Sequence, residues 1–212
     1  MGTTIKDYLR YAKDCNLIPV TREILCDMET PVAVLSRFCA RQNAFLLESV
    51  EGGEQWGRYS FIGVDPELLL EIDYCRPGQP ELLAGLRSIY QNVKPAPAPG
   101  LPRFIGGGVG FISYEAAGEF ERLPPPKLSG RNITPVSRFL RVDKLIVFDN
   151  LRHTIQIVVC SRPDKAKSPE FAFAVACKEL DKIEEILRQP SVQREEDKYP
   201  VPEFVANMKP EE

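Results

Sequence analysis

Apolar positions along the chain recur with two periods, one helical and one of strand type. Ile5, Tyr8, Leu9 and Ala12 follow the i, i+3, i+4, i+7 stripe and predict a helix over 4–16, with Asn16 as its stop. Residues 17–26 read as extended, and Pro19 near their start suits an edge, where a missing N–H is tolerated. Thr30 as N-cap and Pro31 at the first helical position open a second helix, whose apolar face is Val32, Leu35, Phe38 and Cys39. Two β-compatible runs, 45–50 and 59–64, flank a polar connection punctuated by Gly52, Gly53 and Gly57, the pattern of neighbouring strands joined by a hairpin-like loop. A further run at 67–74 follows closely, and three strands in such succession imply an antiparallel meander.

Residues 80–93 read as a helix with Leu82, Leu83, Leu86, Ile89 and Tyr90 on one side. A Pro/Ala-rich spacer at 94–102 favours extended polyproline II, either as a mobile surface loop or as a subdomain boundary. The run Gly106-Gly107-Gly108-Val109-Gly110 lacks the Gly-Lys-Ser/Thr of a phosphate loop and the spacing of a dinucleotide fingerprint, so it reads as a bulge or a close backbone approach. Residues 114–122 predict a short helix stopped by Pro124, Pro125 and Pro126. Within 141–159, Asp149-Asn150 divides two β-rich runs as a hairpin turn, and His153 beside it reads as an exposed turn residue. Ser168 and Pro169 open the last strong helix, with apolar positions at Phe173, Val175, Leu180, Ile183, Ile186 and Leu187 and with Arg188 near its end. The fold class this defines is α+β, with mostly antiparallel strands in one or more sheets packed by four or five helices.

Composition narrows the function classes. The chain has 212 residues and a net charge of −3, which gives no electrostatic case for nucleic acid or a membrane surface. No apolar run approaches the roughly 20 residues of a membrane span, and no export signal opens the sequence. Six scattered cysteines include no Cys-x-x-Cys pair and are joined by a single histidine, which argues against zinc. Free thiols without an export signal suit a reducing cytoplasm. The charge run 194–198 reads as a solvated linker.

One stretch carries candidate chemistry. Glu48 and Ser49 stand at the end of an apolar strand, where a carboxylate needs a partner or a pocket, and Arg58 lies on the returning strand. Glu48 salt-bridges Arg58 at the solvent edge, or Glu48 and Ser49 receive an ammonium while Arg58 faces a carboxylate. The second arrangement matches the two ends of an amino acid.

The blocks Pro19-Val-Thr-Arg-Glu-Ile-Leu, Thr30-Pro31, Phe45-Leu-Leu-Glu-Ser-Val-Glu, Trp56-Gly-Arg-Tyr-Ser-Phe-Ile-Gly, Gly107-Gly-Val-Gly-Phe-Ile-Ser-Tyr-Glu, Phe120-Glu-Arg-Leu-Pro and Val147-Phe-Asp-Asn-Leu resemble the N-terminal region of the anthranilate synthase component I family, which are chorismate-utilising enzymes. The resemblance covers essentially the whole chain. It implies a parent lyase that makes anthranilate and pyruvate from chorismate with Mg2+ and with ammonia from a glutamine amidotransferase subunit. It also implies that the chorismate and metal ligands belong to a C-terminal region. On that basis 1–198 form an N-terminal regulatory domain, 199–212 lead into a catalytic domain beyond this sequence, and no catalytic residue or metal ligand is assigned. The resemblance further implies part of a tryptophan feedback site, with Leu47, Glu48 and Ser49 lining it, Arg58 as the basic contributor and Pro31 close by. Two alternatives stand beside it: a fragment of aminodeoxychorismate synthase component I, and a stand-alone amino-acid-binding regulatory module.

Overall fold

The computed structural model describes residues 2–25, 29–39, 43–48, 57–73, 81–119, 121 and 135–190. Ser49, the glycines at 52 and 53, the triple proline at 124–126, the charge run 194–198 and the 199–212 segment lie outside the described residues. The fold is α+β, with every strand pairing antiparallel.

Helix α1 (Ile5–Tyr11) starts where Thr4 Oγ1 accepts the Asp7 N–H at 3.2 Å, and it closes earlier than the apolar stripe implies. Strand β1 (Ile18–Leu25) pairs, among the described strands, on one side only, with the strand Thr154–Ser161, so Pro19 does sit on a sheet edge. Helix α2 (Pro31–Cys39) is capped as its sequence predicts, with Thr30 Oγ1 accepting from Ala33 N at 3.2 Å. Strands β2 (Ala44–Leu47) and β3 (Tyr59–Val64) are neighbours, registered from Ala44 opposite Val64 to Leu47 opposite Phe61. The ring of Phe45 lies over Gly63, where an added Cβ would overlap it.

The meander expected from three successive strands does not form. Strand β4 (Glu67–Ile72) leaves for a second sheet, turning at Asp65, whose φ of 49° is left-handed. The other neighbour of β3 is β7 (Lys144–Asp149), which pairs in turn with β8 (Thr154–Ser161). The larger sheet thus has the order β1-β8-β7-β3-β2, and the smaller is β4-β6-β5, with β5 at Gly107–Ile112 and β6 at Ser137–Val142. Asp143 alone separates β6 from β7. In β5, Gly110 permits the close approach its sequence suggests, because a Cβ there would overlap the Arg138 carbonyl.

The last helix, α4 (Pro169–Leu187), is capped by Ser168 Oγ, which accepts from Phe171 N. It buries Leu180, Ile183 and Leu187 as expected, with Phe173 and Ile186 packed beside them, but its first turns bury Ala172 and Ala176 while Val175 faces outward. With α1 and α2 it covers one face of the large sheet, over Ile18, Val20, Ile62, Ile146, Phe148 and Ile157. The opposite face holds Val147, Val158, Phe45, Tyr59 and Phe61 under Leu101, Phe104 and Ile105. Helix α3 (Leu82–Tyr90) packs against the small sheet, with Leu82 buried beside Ile72. The proline spacer is docked: Ala96 N donates to Leu17 O at 2.8 Å, and the Asn16 side chain exchanges hydrogen bonds with Asn92 O and Lys94 N.

Candidate functional site

The β2–β3 pair decides where Glu48 goes. In β3, Ser60 and Ile62 alternate with Tyr59 and Phe61. Ile62 belongs to the core under the helices, while Tyr59 and Phe61 belong to the opposite face. Because Leu47 faces Phe61, the next residue faces Ser60, and Ser60 Oγ donates to Glu48 Oε1 at 3.4 Å. Glu48 is exposed while Ser60 is buried, so the carboxylate sits at the mouth of the helix-covered face. Leu47 points to the other face and is 41% exposed.

Pro31 begins a helix of nine residues, about 14 Å long, that leads back into β2 through a short connection. Leu47, Glu48 and Arg58 share one end of the large sheet, at the open end of the β2–β3 pairing.

Arg58 has a different partner from either one its sequence position suggests. Its Nε donates to Asp149 Oδ1 at 3.0 Å and its Nη2 to Asp149 Oδ2 at 2.7 Å, a bidentate fork. The guanidinium also lies 4.8 Å from the Tyr59 ring centroid. Tyr59 and Asp149 are register partners on the face away from the helices. The Arg58 and Glu48 heads thus occupy opposite faces, and a ligand touching both must lie across the end of the sheet.

Asp149 is 4% exposed and holds this end together. It accepts the Leu151 and Arg152 N–H groups as well as the Arg58 fork, closing the turn into β8. Burial by itself would raise its pKa, but the Arg58 fork and the two backbone donors outweigh burial and hold the carboxyl below its ordinary value. The same fork raises the Arg58 pKa. The turn lacks glycine, and His153 takes the left-handed position with φ of 53°, exposed as its place beside the turn suggests. Ser60 and Asp149 are the residues sequence reasoning missed. The signal for Ser60 is a hydroxyl interrupting an apolar strand; for Asp149 it is an acid where a strand ends, read as turn chemistry alone.

The class this geometry defines is an α+β module with a polar cluster at one end of a mixed-order antiparallel sheet. No protein-family model matches the chain. It is similar to anthranilate synthase component 1 from Acetivibrio thermocellus, 39% identical over 167 residues, covering 74% of this chain and 34% of that protein. The Pseudomonas aeruginosa protein of the same name is 33% identical over 206 residues, covering 89% of this chain and 40% of its own length. A solved structure of anthranilate synthase component I from Streptococcus pneumoniae TIGR4 matches with a TM-score of 0.48 and 21% identity, covering 79% of this chain and 37% of that one. The chain belongs to the anthranilate synthase component I family, and it spans between a third and two fifths of the length of these two sequence relatives.

Proposed function

We propose that this chain is the N-terminal, regulatory part of a cytoplasmic anthranilate synthase component I, the lyase that makes anthranilate and pyruvate from chorismate in the first step of tryptophan biosynthesis. The observation that carries the reading is similarity to proteins of that name over 74% to 89% of the chain. In this reading residues 1–198 are the regulatory domain and 199–212 the link to the catalytic one. Chorismate and Mg2+ bind in that further region, and ammonia comes from an amidotransferase subunit. The described residues do not fit a metal centre, since no three His, Cys, Asp or Glu side chains among them could hold an ion. No described helix is long and apolar enough to cross a membrane.

The feedback effector is tryptophan. Glu48 and Ser49 receive its ammonium, Leu47 and the Pro31 end of α2 border it, and the rest of its pocket lies in the catalytic region. Asp149 takes the Nε hydrogen and one Nη2 hydrogen of Arg58, so both Nη1 hydrogens and the second on Nη2 are left for the effector carboxylate. An effector shifts a two-state equilibrium only through unequal affinity, so tryptophan binds better to the arrangement in which the catalytic region is unproductive.

The test is steady-state inhibition of the complete enzyme. Glu48→Ala and Ser49→Ala should each raise the tryptophan concentration for half-inhibition by about tenfold, the weight of one hydrogen bond to a charged group, with the uninhibited rate kept. An unaltered tryptophan response in both variants would remove the assignment.

A further inference from the structure

A second cleft, far in sequence from the residues above, opens between α4 and the start of β7, beside the one-residue junction of the two sheets. Its volume is about 360 Å3, within the range of small-molecule sites. Ala172, Ala176 and Val159 form its floor, and all three are buried. Phe171 and Val175 form its lip and are 50% and 43% exposed. The phase of α4 produces this lip: small alanines carry the packing against the sheet, and two large apolar side chains at i and i+4 are left outward with no described residue over them. The Cys160 thiol in the wall is buried, which pushes its pKa up to about 12 and keeps it neutral.

The rim carries three cations, and they are not equivalent. Lys144 is shared by Asp65 and Glu179 at 3.0 and 3.3 Å. Arg162 is forked onto Asp143, with Nη1 to Oδ2 at 2.6 Å and Nη2 to Oδ1 at 2.9 Å. Lys165 closes the third side, in the single turn Pro163–Lys165, and no carboxylate among the described residues pairs with it. The cleft thus offers an apolar floor, an apolar lip, two acids, Asp143 and Glu179, already held by other cations, and one lysine that no carboxylate among the described residues holds.

We infer that this cleft binds a small apolar carboxylate, its ring or branched chain on Ala172, Val175 and Ala176 and its carboxylate on Lys165 Nζ. A single lysine without a partner among the described residues balances one negative charge. A phosphate would bring a second charge and a hydration shell that the apolar floor cannot replace. This site shares no residue with the proposed tryptophan site, so either assignment can fail without the other.

The probes are phenylacetate and its neutral isostere phenylacetamide, titrated into the complete protein and followed by methyl NMR of Val175 and Ala176. The acid should bind about fivefold more tightly than the amide, the scale of one partly exposed ion pair. Lys165→Gln should erase that preference while leaving amide binding in place. Val175→Asp should weaken both probes, with an unchanged thermal unfolding curve to show that the fold persists at this outward position. Equal binding of acid and amide, a preference that survives Lys165→Gln, or shifts confined to residues outside the cleft would each overturn the inference.

Discussion

The two sheets of this molecule are built from similar strands and stabilised differently. The large sheet is buried on both faces: helices α1, α2 and α4 cover one, and Leu101, Phe104 and Ile105 cover part of the other. The small sheet has α3 on one side and a core of Ile72, Leu82, Ala116 and Val136 among the described residues. Its other surface joins the cluster around Val147 at one end through Val142 and Val109, and elsewhere presents Leu68 at 60% exposure and Phe111 partly open, flanked by the ion pairs Arg138–Glu71 and Arg141–Glu67. The same pairing chemistry thus gives a rigid platform where apolar area is buried on both faces and a more loosely supported flap where the second face is buried only in part. The candidate effector residues stand on the platform's end, and the Lys165 cleft stands where platform and flap join.

Substitutions can break this contrast in descending order of effect. Ile157→Ala, in the fully buried centre of β8, should cost about 2–5 kcal/mol in chemical denaturation, whereas Leu68→Ala on the small sheet should change stability by less than about 0.5 kcal/mol. Equal losses would mean that the outer part of the small sheet is as firmly supported as the centre of the large one.

Asp149→Asn should cost about 1–3 kcal/mol near neutral pH, since it weakens the Arg58 fork and the turn acceptors at a buried position. The native carboxyl lies below its ordinary pKa, so the stabilisation it supplies is complete above the unfolded value and is lost as pH falls through the folded one. Unfolding free energy measured against pH should therefore fall less steeply on the acid side in Asp149→Asn than in the parent. Superimposable acid limbs would show that the fork contributes nothing.

The smallest effect is expected at Arg138→Ala. Its pair with Glu71 is half open to water, so the loss should stay below about 1 kcal/mol and shrink further in high salt. A larger, salt-independent loss would move this residue from the surface into the structural framework.

Much of the local structure was legible because its causes are local. Thr30 and Ser168 announce helix starts, since a side-chain oxygen reaching an N–H three residues ahead depends on nothing farther away. Pro19 announces an edge for the same kind of reason, through the ladder donor it lacks. The hairpin partnership of β2 and β3 and the turn after Asp149 were likewise written in adjacent residues. Membership in a family was legible from motif blocks spread along the chain.

Other features belonged to the tertiary structure alone. Which strand β3 takes as its second neighbour was settled by β7, some eighty residues on, and no pattern within 45–74 contains that choice. The partner of Arg58 was decided the same way: Glu48 is close in sequence, but Arg58 lies just outside β3, and Asp149 arrives from β7 to take the guanidinium. The outward turn of Val175 followed from the alanines that fit against the sheet, a packing preference that a list of apolar residues does not express. Periodicity and caps act over a few residues and can be read directly. Strand order, ion-pair choice and helix phase are set by which distant surfaces bury one another, and that competition is resolved only in the folded chain.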